Sequence, residues 1–202
     1  PEQGRSVFRP LLVGMATLQE AGGQARGLAD HMFPLAARPE PPNFDANVRQ
    51  PGRTWLTANP HSSSFPAHWN KMRAEVQQAF DSRCAYLGHW ISSGQVDHFK
   101  PKALFRADVY EWSNYRWCEA RANLLKNKKP EFLDPYQMQL GWMEIDSVTL
   151  EFSVTDALPA NFVAAAAATL EVLNDKELVR GRQRLADGYQ RTFAGQREAL
   201  LN

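Results

Sequence analysis

The sequence predicts an α+β protein, and three observations carry that expectation. Apolar residues recur at helical spacing between Pro66 and Arg83 and again in the last quarter of the chain. Apolar and polar residues alternate between Trp142 and Val154, the period of a half-buried strand pair. A short strand pattern, Val96-Asp97-His98-Phe99, lies between the two. With 202 residues, 44% of them hydrophobic and 22% charged, the chain can bury a core without covalent staples. No run of 18 apolar residues offers a spanning helix, and no basic stretch leading into an apolar one reads as a secretory signal. The expected location is therefore cytoplasmic, with no membrane partner. Two cysteines are too few for a disulfide framework or a four-thiolate zinc site.

Taken in order, residues 1–43 read as an N-terminal extension of unknown role. The apolar run from Phe8 to Leu18 suggests a short helix or strand, and Gly22, Gly23, Gly27, Pro39, Pro41 and Pro42 break the stretch after it. Residues 44–202 read as a single domain with its core at about 84–130 and a hairpin plus helices over 135–202. From Phe44 to Pro66 the turn signals Pro51-Gly52, Asn59-Pro60 and Ser62-Ser63-Ser64 predict a loop anchored by Trp55 and Leu56. Pro66 suits the first turn of a helix that reaches Arg83 and buries Trp69, Met72, Val76, Ala79 and Phe80. Glu119 to Lys128 reads as a helix stopped before Pro130. In the hairpin, Trp142, Ile145, Val148, Leu150, Phe152 and Val154 form the expected buried face. Pro159 opens an alanine-rich helix. Asn174 or Asp175 caps a last helix whose apolar stripe is Leu178, Leu185, Tyr189 and Phe193.

Three stretches carry chemistry: Val96 to Lys102, Tyr110 to Asn114, and Ala122 to Lys126. Neighbouring residues of a strand point to opposite faces, so Asp97 can hold a metal ion while His98 points elsewhere. Asn123, on the helix after it, can add a second oxygen. Oxygen-rich, incomplete ligation is what Mg²⁺ takes when phosphate and water complete its shell. The ordinary pKa of histidine lies near neutrality, which suits His98 to activating a water. From His98 to Pro130 there are eight basic residues (Lys100, Lys102, Arg106, Arg116, Arg121, Lys126, Lys128, Lys129) against the acids Asp108, Glu111 and Glu119, a local charge of about +5 in a chain of +1. Such a segment can track a phosphate backbone, and Lys100, Lys102, Arg116, Arg121 and Lys126 are the candidate contacts. A charge run is also the ordinary look of a solvated helix face. The six tryptophans fit core positions better than base-stacking ones.

These motifs, Cys84-Ala-Tyr86, Val96 to Lys102, Tyr110 to Arg116, Asn123 to Lys126 and Leu133-Asp-Pro135, resemble a bacterial branch of the HNH endonuclease superfamily. The likeness runs from about Phe44 to about Arg184. It implies a ββα-metal core, a strand pair packed on one helix around a single Mg²⁺ or Mn²⁺. It implies His98 as general base, Asp97 and Asn123 as metal ligands, and Asn114 as the brace of the metal loop and of the base. The implied reaction is hydrolysis of DNA phosphodiester bonds to 5′-phosphate and 3′-hydroxyl ends. RNA is the alternative substrate, and a catalytically silent interaction module is the alternative class. Relatives of this kind look like anti-phage defence or restriction effectors, which implies a regulatory protein partner.

The chain departs from that branch at one place. Many relatives clamp a structural zinc with two Cys-x-x-Cys pairs. The matching positions here are Cys84, Leu87, Glu119 and Ala122, with Cys118 out of register and expected to face elsewhere on a helix. A tetrahedral thiolate site needs four ligands. No structural zinc is expected, with Leu87 and Ala122 filling the space by apolar packing.

Overall fold

A computed structural model describes residues 35–201, the side chains of 192–201 excepted. The element expected between Phe8 and Leu18 and the stripe residue Phe193 lie outside the described residues. The fold is a mixed α+β one, with two small antiparallel ribbons and several helices.

The segment after Phe44 corrects the loop expected there. A π-helical turn, Asp45–Arg49, runs directly into helix α1, Gln50–Ala58. Pro51 stands in the first turn of α1, directly after the π-helical turn. Gly52 is buried against Tyr110, and a methyl group there would overlap the tyrosine ring. The Pro-Gly pair thus lies within a helical run and includes a close-contact glycine, and is not a turn. Gly52→Ala is expected to cost at least ~1–3 kcal/mol by overpacking, readable as a lowered urea midpoint with an unchanged slope. An unchanged midpoint would contradict the contact.

The helix expected from Pro66 to Arg83 is shorter. A 3-10 turn, His68–Met72, leads into α2, Arg73–Ala79, and Asp81 and Ser82 then take positive φ (50° and 57°), which ends it. Its expected core residues Trp69, Met72, Val76 and Phe80 are buried.

Strand β1, Gln95–His98, pairs antiparallel with β2, Tyr115–Cys118, in the register Gln95↔Cys118, Val96↔Trp117, Asp97↔Arg116, His98↔Tyr115. Helix α3, Ala120–Lys126, comes directly after β2. Its N-cap Glu119 accepts from the Ala122 N–H at 2.9 Å, and Asn127, at φ 44°, closes its C-terminus. The long loop between the strands carries a 3-10 turn, Trp112–Asn114, that delivers the chain into β2.

The second ribbon pairs β3, Met143–Ile145, with β4, Phe152–Val154. Here the alternation misleads. Phe152 is buried, but Val148 and Val154 are exposed, and Leu150 turns the chain at φ 59°. Arg182 fixes that turn by donating from Nε to the Leu150 carbonyl at 2.7 Å. Helix α4, Val163–Leu173, contains the alanine run, and α5, Lys176–Leu201, ends the described chain. The choice of cap between them is settled by geometry. Asp175 Oδ1 accepts from the N–H groups of Glu177 and Leu178, whereas the amide of Asn174 bonds both N–H and C=O of Phe152 and ties β4 to α4. Leu178 is buried as expected, and Leu185 is exposed.

Part of the stretch assigned to the N-terminal extension belongs to this body. Leu35 packs against the core, and the Arg38 carbonyl accepts from Trp112 Nε1 at 3.0 Å. Among the described residues no helix is long and apolar enough to cross a membrane.

Candidate active site

The first ribbon and α3 bring together residues spread from position 95 to position 126. Gln95 and Asp97 share one face of β1. Asn123 and Lys126, one helical turn apart, share one face of α3. These two faces meet: Asn123 Nδ2 donates to Gln95 Oε1 at 2.9 Å, and Lys126 Nζ lies 3.0 Å from Asp97 Oδ2. Asn123 is therefore one strand step along from Asp97, at the half-exposed end of the same contact.

Asp97 is buried. Tyr86 donates its hydroxyl to Asp97 Oδ2 at 2.6 Å. Burial, reinforced by the negative charge of Asp97, holds the Tyr86 phenol well above its ordinary pKa, so the proton stays on tyrosine. Both polar contacts fall on Oδ2, which leaves Oδ1 as the oxygen for another ligand. On Asn123, donation from Nδ2 leaves the carbonyl oxygen Oδ1 in the same position. Asp97 and Asn123 thus offer two hard oxygen donors, the chemistry Mg²⁺ or Mn²⁺ prefers, and water or phosphate must supply the rest. The ammonium of Lys126 already shares that carboxylate. Among the described residues no group of three or more His, Cys, Asp and Glu gathers in one place.

His98, at the end of β1, faces a different environment. Its Nε2 lies 3.0 Å from the Val109 carbonyl, which also accepts from the Tyr115 hydroxyl at 3.0 Å. A carbonyl only accepts, so Nε2 carries the proton and Nδ1 holds the lone pair. The ring is set edge-on to Trp69 (centroids 4.6 Å apart) and to Tyr115 (5.1 Å). Burial first, then the positive charge of Lys102, push its pKa down to about 3. The imidazole is neutral at pH 7 with its lone pair on Nδ1, and burial makes it a weaker base than an ordinary histidine.

That depression has a consequence for stability. His98 in the unfolded chain protonates near pH 6.5, and in the folded chain only near 3, so the unfolded state binds more protons between these values. Stability is then full above about pH 6.5 and falls as the pH drops toward 3, by up to ~1.4 kcal/mol per pH unit. His89, lowered to about 4 by burial and then by Arg182, adds in the same direction. Thermal melts at pH 7 and pH 5 are expected to show a clear drop for the wild type and a smaller one for His98→Gln. Equal drops would contradict the buried neutral imidazole.

Asn114 is the brace of the loop between the strands. Its Oδ1 accepts from the Lys100 N–H at 2.7 Å, and its Nδ2 donates to the carbonyls of Lys100 (3.2 Å) and Asp108 (3.0 Å). One buried amide thus closes the loop that ends in Val109, the partner of His98.

The basic segment is different in space from its appearance in sequence. Lys100 pairs with Asp108, Arg116 with Asp134, Arg121 with Asp175, Lys126 with Asp97 and Lys129 with Glu171. Arg106 donates to the carbonyls of Leu56, Asn59 and Ser62. Two of the candidate phosphate contacts need correction. Arg116 and Lys126 are buried, and reaching a phosphate would strip each of its carboxylate. Lys102 is the candidate best placed toward the site. It is half-buried, its Nζ lies 4.6 Å from the Trp69 ring centre, and burial lowers its pKa while Asp97 raises it. Lys100 and Arg121 stay partly exposed in their ion pairs.

The four positions matching the zinc clamp are also placed. Leu87 and Ala122 are buried in the core, and Glu119 caps α3. Cys118 ends β2, not a helix, and faces Cys84. The Cys84 sulfur accepts from the Glu119 N–H at 3.4 Å. Burial pushes the Cys84 thiol up, and hydrogen bonds from Cys118 and from backbone N–H groups outweigh it and bring it below its ordinary value. Burial and the neighbouring Cys84 hold the Cys118 thiol well above its own.

Tyr86, Trp69 and the Val109 carbonyl complete the site. In the sequence Tyr86 is visible only as part of a motif and Trp69 only as a core position, and no sequence signal marks a backbone carbonyl. In comparisons with protein-family models, curated proteins and solved structures, nothing matches this chain.

Proposed function

We propose that this protein is a metal-dependent endonuclease with an HNH-type ββα core, acting on DNA. The observation that supports the reading is the meeting of β1 and α3, where Asn123 bonds Gln95 on the Asp97 face of the strand and Lys126 reaches Asp97, while His98 and Asn114 bond the loop that follows β1. In this reading Asp97 and Asn123 hold a Mg²⁺-type ion, which when bound neutralises charge on the scissile phosphate and its leaving oxygen. His98 receives the proton of the attacking water at Nδ1. The water oxygen then bonds to phosphorus in line, the bond to the 3′-oxygen breaks, that oxygen takes a proton from a solvent water, and 5′-phosphate and 3′-hydroxyl ends result. Asn114 keeps the loop closed, so that the Val109 carbonyl holds the imidazole tautomer that has its lone pair on Nδ1. Lys102 faces the phosphate with a partly desolvated ammonium, where its charge counts for more than in water.

Supercoiled plasmid DNA incubated with the chain and Mg²⁺ or Mn²⁺ is expected to be nicked, and chelation to stop the nicking. A matched RNA cleaved in place of the plasmid would shift the substrate to RNA, since the 2′-hydroxyl is read by groups around a site of this kind. A second reading, a silent interaction module, is favoured by the Lys126 ammonium on Asp97 and by the number of basic residues held in ion pairs. A folded chain that binds neither Mg²⁺ nor Mn²⁺ would support it against the nuclease reading.

A further inference from the structure

Lys126 has no role in the proposed hydrolysis, yet it is the most completely buried charge at the site. Its side chain has no solvent exposure. The ammonium carries three donors. One is donated to the His98 carbonyl at 3.0 Å, and the nitrogen lies 3.0 Å from Asp97 Oδ2 as an ion pair. The rings of Phe99, Tyr86 and Phe132 stand 5.7, 5.9 and 6.0 Å away and enclose it. A buried ammonium fixed in this way is not a solvated charge that can swing aside. It holds the proposed metal ligand through its carboxylate and the proposed base through its backbone.

We propose that Lys126 is a positioning residue of the metal centre, an internal counter-ion that holds Asp97 and His98 in register before any metal arrives and shares Asp97 with the metal afterwards. The proposal rests on the nuclease reading. Its physical content is a trade. With Lys126 present, β1 stays fixed to α3 without a metal, and a divalent cation meets a carboxylate that a fixed positive charge already half-neutralises. With that charge removed, the cation becomes the sole counter-ion of a buried carboxylate. Affinity then rises while the backbone of His98 loses its anchor. A residue that merely filled space would do neither.

The test is a calorimetric titration of Mn²⁺ into the full chain, comparing wild type, Lys126→Met and the double variant Asp97→Asn/Lys126→Met. The expected result is binding to Lys126→Met tighter than to wild type by on the order of tenfold or more, the effect of removing one like charge at contact distance. Mn²⁺ should also raise the melting temperature of Lys126→Met more than that of the wild type. The double variant, which has no buried carboxylate to compensate, should fold and bind Mn²⁺ more weakly than wild type. If Lys126→Met is unfolded alone, recovery of its helical circular dichroism on adding Mn²⁺ supports the proposal, and no recovery overturns it. Equal or weaker Mn²⁺ binding by folded Lys126→Met overturns it while leaving the nuclease reading intact. No binding by any of the three proteins overturns the metal centre itself, and this proposal with it.

Discussion

Asp134→Ala is expected to cost about 3–5 kcal/mol of stability, a large share of what a domain of this size possesses. Arg116 has only 2% of its side chain exposed. Its Nε and Nη2 reach Asp134 Oδ1 at 3.1 and 2.7 Å, and Nη2 reaches Oδ2 at 2.8 Å. Nη1 donates to the carbonyls of Ser113 and Tyr115, and the guanidinium lies 3.8 Å from the centre of the Tyr136 ring. Without Asp134 this charge stays buried and loses its counter-ion, a larger penalty than the pair's net worth. Because Arg116 lies opposite Asp97 in the strand register, the damage falls on the ribbon that carries the site. Urea denaturation reads the loss directly. A change below ~1 kcal/mol, the scale of an exposed ion pair, would contradict this account of Arg116.

Asp97→Ala is the second large effect, and it acts twice. It strands the Lys126 ammonium in a core with no solvent access, which is again expected to cost about 3–5 kcal/mol. It also removes the one carboxylate among the proposed ligands. The two consequences separate in the double variant Asp97→Ala/Lys126→Met, which deletes both charges. Removing a whole buried pair is often close to neutral, so stability is expected to return in large part while Mn²⁺ binding does not. Restored metal binding in the double variant would place the ion elsewhere.

Much of the fold could be read before the structure, and the reasons differ from element to element. β1, α3, α4 and α5 announce themselves through periodicity and caps. Glu119 and Asp175 serve as caps at the helix starts the sequence marks. The failures share a cause, which is that tertiary contact overrides local signals. Pro51-Gly52 reads as a turn because the sequence does not show that the ring of Tyr110, far along the chain, needs a residue without a side chain. Val148 and Leu150 fit a strand pattern, yet Leu150 takes a positive φ in a turn that Arg182 holds from α5. At the site, residue types and spacing point to Asp97, His98, Asn114 and Asn123; β1 carries the first two on opposite faces, Asn114 braces the loop after it, and Asn123 meets Gln95 from α3. Charge pairing is the part the sequence hides. A count of eight cations in one segment gives no sign that Asp134, Asp175 and Glu171 come from outside it, or that Lys126 turns inward to Asp97.

The most direct measurement is the rate of plasmid nicking in Mn²⁺ by wild type and by His98→Ala, with circular dichroism to establish that both are folded. If His98 is the proposed base, its loss predicts a rate lower by roughly 10²–10⁴-fold. Equal rates from two folded proteins would remove His98 from the chemistry and contradict the assignment of this site.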